Sequence, residues 1–458
     1  MLPIGRFNRE REPLLVEPQL PLFKEDVTPT ASRPGRDVQW SRSNGLANRI
    51  EESDRPFHDW YRFVLSFPPH LVRQYMERFD LKAGQRILDP FCGTGTTLVE
   101  AKLNSLEAVG METNPIAHFA SVTKTDWSAN ARRLRTEASR IATRAEEAIS
   151  RARKLRTLPE ERMKLLLTGS ICPVPLHKSL LLLETIDQDC SRSFLAYARL
   201  AFAKTLVDSA SNLHFGPEVG VRGSKEDADV VGAWLRNMLS MSSDLEVRRG
   251  RLEPKAIVYR ADSRVPAGLE PGSIDAVFTS PPYPNEKDYT RTTRLELITL
   301  GLISNKNELR ALKKGLLRSN TRGVYKGDND DAWINGNRKI VAIANEIERR
   351  RIELGKNSGF ERLYSRVTKL YFGGMARHFE ALRHYLQKGA RLAYVVGDQA
   401  SYLQVMIKTG ELLAEIAESL GYIVEGIDLF RTRIATATRL QMREEILLLQ
   451  WPGTSGGR

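Results

Sequence analysis

The sequence predicts an α/β protein built on a doubly wound, mostly parallel sheet of about seven strands with helical and loop insertions. Three observations carry this. Gly84-Gln85-Arg86-Ile87-Leu88-Asp89-Pro90 reads as a turn into a short strand, and Phe91-Cys92-Gly93-Thr94-Gly95-Thr96-Thr97 then leads into a helix over 98–102. A second strand over 107–111 ends at Glu112; strand, helix, strand in that order implies parallel pairing, because a parallel neighbour needs a crossover. Apolar runs over 256–259, 274–279, 392–396, 422–429 and 445–451, with helical periodicity between several of them, raise the strand count to about seven.

The remaining segments follow in order. Residues 1–54 scatter Pro3, Pro13, Pro18, Pro21, Pro29 and Pro34 among charges and read as an extended arm. Residues 55–126 form the first half of the sheet domain, opened by two helical pieces that flank a break at Pro68-Pro69. Residues 127–255 interrupt the sheet with helical sequence, in which Leu134, Ala138, Ile141, Ala145, Ala148, Ala152 and Leu155 step along one face and arginines crowd the other. Residues 256–299 resume the sheet, 300–362 are a second, polar insertion, and 363–458 complete the domain.

At 458 residues the chain exceeds what one ordinary core fills, which fits a domain with insertions. No apolar run is long enough to span a bilayer, and the start Met1-Leu2-Pro3-Ile4-Gly5 lacks the succession of a secretory signal, so a cytoplasmic location is expected. The three cysteines, Cys92, Cys172 and Cys190, show neither a disulfide framework nor zinc spacing, and no metal is expected. A net charge of +13 favours polyanions through counterion release, although solvated basic faces would give the same balance.

Two stretches carry chemistry. In the loop after Asp89, Gly93 and Gly95 let backbone approach a ligand closely, and the next helix offers unpaired N–H groups to an anionic end. The lysine of a phosphate-binding loop is missing after Gly95, and Leu98 stands where a dinucleotide fingerprint needs its third glycine. S-adenosylmethionine fits better: its carboxylate near the helix start, its ribose at Glu112, its adenine near Asp262, each at the end of a successive strand. The second stretch, Ser280-Pro281-Pro282-Tyr283, follows the strand over 274–279 and so shares that edge. A serine hydroxyl and a proline carbonyl can accept hydrogen bonds from an exocyclic amine, and a tyrosine can stack on its ring. Such an amine is a poor nucleophile, because its lone pair is conjugated into the base, and it must be oriented to react.

The run from Asp89-Pro90-Phe91 through Gly93-Thr94-Gly95-Thr96-Thr97 resembles the cofactor loop of amino-methyltransferases, and Ser280-Pro281-Pro282-Tyr283 resembles the catalytic motif of the N4-cytosine DNA methyltransferases. The stretch His58-Asp59-Trp60-Tyr61 to Val72 is similar to the segment that borders the methionine end of the cofactor in that family. The resemblance implies a Rossmann-like class I methyltransferase domain with S-adenosyl-L-methionine as cofactor. It also implies catalysis by Ser280, Pro281, Pro282 and Tyr283, and cofactor contacts at Trp60 and over the loop. The implied substrate is double-stranded DNA with its target base flipped out, and a cognate restriction endonuclease is the partner such a setting implies. Related adenine-N6 enzymes usually place Asp or Asn where Ser280 stands, and guanine-N2 enzymes acting on transfer RNA usually show Asp-Pro-Pro-Tyr; both readings stay open. Cytosine C5 methylation needs a cysteine directly after a proline, which this chain lacks. The cofactor loop precedes the catalytic motif here, the reverse of many N4-cytosine enzymes.

For DNA contacts, the insertion over 300–362 is the preferred reader, with Arg322 and Lys326 as candidate phosphate contacts; the insertion over 127–255 is the alternative. Arg291 and Arg294, just after the catalytic motif, are expected to hold the flipped strand by its phosphates.

Overall fold

Seven strands form one sheet: β1 (Arg86–Asp89), β2 (Glu107–Met111), β3 (Ala256–Tyr259), β4 (Ile274–Thr279), β5 (Leu386–Gly397), β6 (Ile423–Ile434) and β7 (Gln441–Gln450), in the spatial order β3-β2-β1-β4-β5-β7-β6. All neighbours pair in parallel except β7, which is antiparallel to both β5 and β6. The computed structural model describes residues 50–63, 66–216, 218–251, 253–285, 287–434 and 441–453. Most of the proline-rich arm read over 1–54 therefore lies outside the described residues. All described residues belong to the contact unit Asp37–Arg458.

Helices α1 (Pro69–Arg78), α2 (Thr96–Leu103) and α3 (Pro115–Thr125) belong to the first half of the sheet domain. Asn114 caps α3 by accepting from the Ile116 N–H at 3.3 Å, and Pro115 occupies the first turn, where no N–H is needed. The first insertion is a helical layer of α4 (Ala131–Arg151), α5 (Pro173–Asp189), α6 (Arg192–Thr205) and α7 (Val230–Arg248). Its core, which holds Leu134, Ile141, Tyr197, Phe202 and Trp234, is distinct from the two cores on the faces of the sheet. The second insertion contains α8 (Lys306–Gly315) and α9 (Arg338–Glu353). Then α10 (Tyr364–Leu382) and α11 (Thr409–Ser419) pack on the sheet.

Several expectations are corrected. Pro68-Pro69 begins a helix, since proline at the first helical position sacrifices no hydrogen bond; among the described residues before it lie only the short turns Glu52–Asp54 and His58–Trp60. The α4 stripe ends at Ala145, and Leu155, beyond the helix, is 57% exposed. The first insertion also carries a hairpin, Leu213–Phe215 with Val219–Val221, too short for periodicity to reveal. Strands β5, β6 and β7 run longer than their apolar cores, because polar residues on half-exposed ends pair as well.

One buried group makes a pH-dependent prediction. Lys124 on α3 is fully buried and its ammonium donates to the Tyr61 carbonyl at 3.2 Å. Burial, and then Arg62, push its pKa down to about 7. The unfolded chain keeps this lysine protonated up to its ordinary 10.5, so the folded state binds fewer protons between these values. The penalty on stability is thus full below about pH 7 and fades as pH rises towards 10.5. Lys124→Met is expected to raise Tm near neutral pH, the gain shrinking as pH climbs; thermal unfolding across that range checks it.

Candidate active site

The sheet reverses its winding between β1 and β4: from β1 the chain moves outward to β2 and β3, then returns to β4 on the other side. Loops leaving the carboxyl ends of such a pair diverge and open a crevice. Here that crevice is a cavity of about 570 Å³, within the usual range for ligand sites. The loop after β1 forms one wall and Ser280-Pro281-Pro282-Tyr283, after β4, forms the facing one. A hydrogen bond ties the walls together: the Thr279 hydroxyl donates to Asp89 Oδ1 at 2.6 Å. Asp89 also accepts from the Phe91 N–H at 3.1 Å, while its Oδ2 is buried with no hydrogen-bond partner among the described residues, and burial pushes its pKa up to about 6.

Gly93 and Gly95 adopt φ of 51° and 83°, so the loop turns sharply where a side chain would be strained. A Cβ at Gly95 would also come within 3.1 Å of Ser121. Ser121 fixes the turn by donating to the Gly93 carbonyl at 2.7 Å. From the end of β2, Glu112 accepts from the Gly93 N–H at 2.9 Å and the Asn114 N–H at 2.7 Å. It therefore joins the loop to the start of α3 while lining the cavity, and burial pushes its pKa up to about 7. The Thr94 hydroxyl lines the same wall, buried and with no partner among the described residues. A polar ligand with donors or acceptors at that end would satisfy it.

Pro90, Phe91, Gly93, Thr94, Thr96, Glu112 and Asp262 reach the cavity. Asp89, Gly95 and Thr97 stand behind its wall; Thr97 donates to the Phe278 carbonyl at 3.2 Å. Asp262 is gripped by Arg264, whose Nη2 donates to it at 2.6 Å, and its side chain stays 26% exposed. Arg264 also bonds Asp330 of the second insertion, which Arg377 of α10 meets at 3.2 Å. The Ser280 hydroxyl donates to the Val395 carbonyl of β5 at 3.1 Å. The same hydroxyl also lies within hydrogen-bonding reach of the Tyr283 side chain, and while it donates to Val395 its lone pairs can accept.

Comparison with known proteins agrees with this geometry. The family model UPF0020 (RMKL-like, methyltransferase domain) matches residues 68–156, which span α1, the cofactor loop and α4. The type II methyltransferase M.BsoBI of Geobacillus stearothermophilus is 27% identical over 418 residues, covering 82% of this chain and 81% of that protein. This chain is an S-adenosylmethionine-dependent methyltransferase. The methyltransferase is also 24% identical to the type II methyltransferase M.AvaI of Nostoc sp. over 422 residues, covering 84% of this chain and 83% of that protein. A 65-residue stretch, 14% of this chain and 18% of the relative, is 42% identical to a tRNA (guanine(10)-N2)-dimethyltransferase of Methanothermobacter thermautotrophicus. No described helix of the methyltransferase is long and apolar enough to cross a membrane.

Other expected site residues sit elsewhere. Trp60 is 1% exposed and absent from the cavity wall: its indole N–H donates to Asp244 on α7 at 2.8 Å and its ring meets Tyr197 edge-on, so it anchors the helical insertion. Phe63 and Phe67, further along the same segment, line the cavity instead. Arg294 is committed inward, donating to the Thr290 carbonyl at 3.0 Å and the Leu165 carbonyl at 3.3 Å. Arg291 is half-buried, its Nε enclosed with no hydrogen-bond partner among the described residues. Neither lines the cavity. Arg322 lies 3.7 Å from Glu218 with its guanidinium over Phe360, and Lys326 is exposed on the insertion. Arg294→Ala is expected to cost about 1.5–3 kcal/mol of stability, the worth of charge-assisted hydrogen bonds, and to leave the salt dependence of polyanion binding unchanged. Denaturant unfolding and a salt titration measure both.

Sequence reasoning missed Asn285, Lys287, Tyr289, Asn320 and Arg433, all on the cavity wall. The first three follow the catalytic motif and were within reach of its signal. Asn320 arrives from the second insertion, where its Nδ2 donates to the Lys287 carbonyl at 3.0 Å, and no local pattern announces that.

Proposed function

We propose that this methyltransferase acts on double-stranded DNA, transferring a methyl group to the exocyclic N4 of a cytosine turned out of the helix, in a restriction-modification setting with a partner endonuclease. The observation that carries the reading is Ser280, which lines the cavity and whose hydroxyl donates to the Val395 carbonyl, leaving its oxygen able to accept. Accepting from the amine N–H groups localises nitrogen electron density for attack and orients it. Tyr283 offers its ring to the base, and the Pro281 carbonyl is a second acceptor. When bound, S-adenosylmethionine supplies an electrophilic methyl group; Thr94, Glu112 and Asp262, with the loop backbone at Gly93, are the residues that would hold it. Both long relatives are named as type II methyltransferases, which favours DNA. The 65-residue likeness to a tRNA enzyme favours a second reading, an RNA target, and adenine N6 is a third.

Incubation with labelled S-adenosylmethionine and either duplex DNA or bulk RNA, followed by digestion to nucleosides, tests this. N4-methylcytosine from DNA is expected. N6-methyladenine, or label confined to RNA, overturns the reading.

A further inference from the structure

Four cations and two carboxylates gather around the mouth of the cavity. Glu218 faces Arg322 at 3.7 Å, and Glu444 is bonded to Arg431. That leaves Lys287, from the loop after the catalytic motif, and Arg433, from β6, both on the cavity wall. Among the described residues neither head group has a carboxylate of its own within ion-pairing distance. The contrast with other arginines near the site is sharp: Arg264, Arg318 and Arg431 each hold a carboxylate, and Arg294 is spent on carbonyls.

Lys287 is also held in place. Its N–H donates to Asn285 Oδ1 at 3.0 Å, and its carbonyl accepts from Asn320. Its ammonium sits below its ordinary pKa, first through burial and then through Arg433. Glu218 and Glu444 partly offset these charges, but two like charges without an ion pair among the described residues, kept near each other at a half-enclosed opening, still raise the energy of the free protein, and an anion between them lowers it. A flipped nucleotide carries such anions at a fixed place, the phosphates on either side of its sugar, which remain at the mouth when the base has entered.

We infer that Lys287 and Arg433 form a two-sided phosphate clamp that grips the backbone flanking the extruded nucleotide. The inference rests on the DNA reading above. The clamp explains how a strand is retained although Arg294 faces inward.

The test is DNA binding by the full chain, with S-adenosylmethionine present, as a function of salt. Each lost phosphate contact lowers the slope of log affinity against log salt by about 0.9, so Lys287→Gln with Arg433→Gln is expected to lower it by about 1.8. Equivalently, the affinity gained on going from about 200 to about 50 mM salt shrinks by about tenfold. The charge-keeping pair Lys287→Arg with Arg433→Lys is expected to retain the slope. A duplex with neutral methylphosphonates flanking the target base should reproduce the loss in the wild type and add nothing in the Gln double variant. An unchanged slope in that variant, or equal sensitivity of both proteins to the neutral linkages, overturns the clamp while leaving the DNA reading intact. Label confined to RNA in the wild-type reaction removes the reading itself, before any variant is made.

Discussion

Replacing Ser280 with alanine is expected to lower kcat by about a hundred- to a thousandfold while leaving S-adenosylmethionine affinity nearly unchanged. The Ser280 hydroxyl has one proton and gives it to the Val395 carbonyl at 3.1 Å. While it donates there, its oxygen can accept, which is what an amine about to lose a proton and donate its lone pair requires. Alanine removes the acceptor at the reacting nitrogen and leaves the loop after β1 untouched, so the cost falls on the chemical step. Single-turnover methylation with enzyme in excess, alongside calorimetric cofactor binding, separates the two. A variant that loses cofactor affinity and keeps its single-turnover rate would assign Ser280 to cofactor binding instead.

Glu112→Ala is expected to abolish measurable cofactor binding and to cost about 1–3 kcal/mol of stability, since two part-buried N–H groups lose their acceptor. Those groups belong to Gly93 and Asn114, so the variant slackens the turn and the start of α3 together. The deficit should vary with pH. Burial raises the Glu112 pKa from 4.5 to about 7, so the native chain holds this proton more tightly than the unfolded one. Glu112 thus weighs on stability increasingly as pH rises from about 4.5 through about 7, and alanine carries no such burden. The difference in unfolding free energy between wild type and variant is expected to be widest at the acid end and to narrow towards neutrality. Denaturant melts at three pH values measure it; a difference that widens with pH contradicts the assignment.

What could be read from the chain was whatever local sequence encodes. The turn at Gly93 and Gly95 needs particular residues at particular steps, and strand, loop and helix follow one another within about twenty residues, so both the sheet and its ligand-bearing edge were legible. The place of Ser280-Pro281-Pro282-Tyr283 on the cavity wall was legible for the same reason. Partnerships made across the fold were not. Trp60 reads as a cofactor aromatic until Asp244, 184 positions later, takes its indole N–H. Arg294 reads as a phosphate ligand until Thr290 and Leu165 fill its donors. Lys287 and Arg433 look like ordinary surface charges, because only the order β4-β5-β7-β6 carries their strands to one opening. A basic composition announces that cations exist; which of them lack a partner is a property of the folded chain.

The link from Asp262 through Arg264 to Asp330 bears on how freely the second insertion could be exchanged. At Gly373 on α10 a Cβ would stand 1.9 Å from the Asp330 carbonyl oxygen, so the second insertion is seated on the helix as closely as backbone permits. Arg264 then joins that seat to Asp262 on the cavity wall. A graft that exchanged residues 300–362 for the corresponding segment of a relative would therefore have to bring a matching aspartate, keep the glycine beneath it and preserve the arginine between. In this scaffold the insertion is not an interchangeable cassette: its outer residues can vary, but only around a fixed keystone.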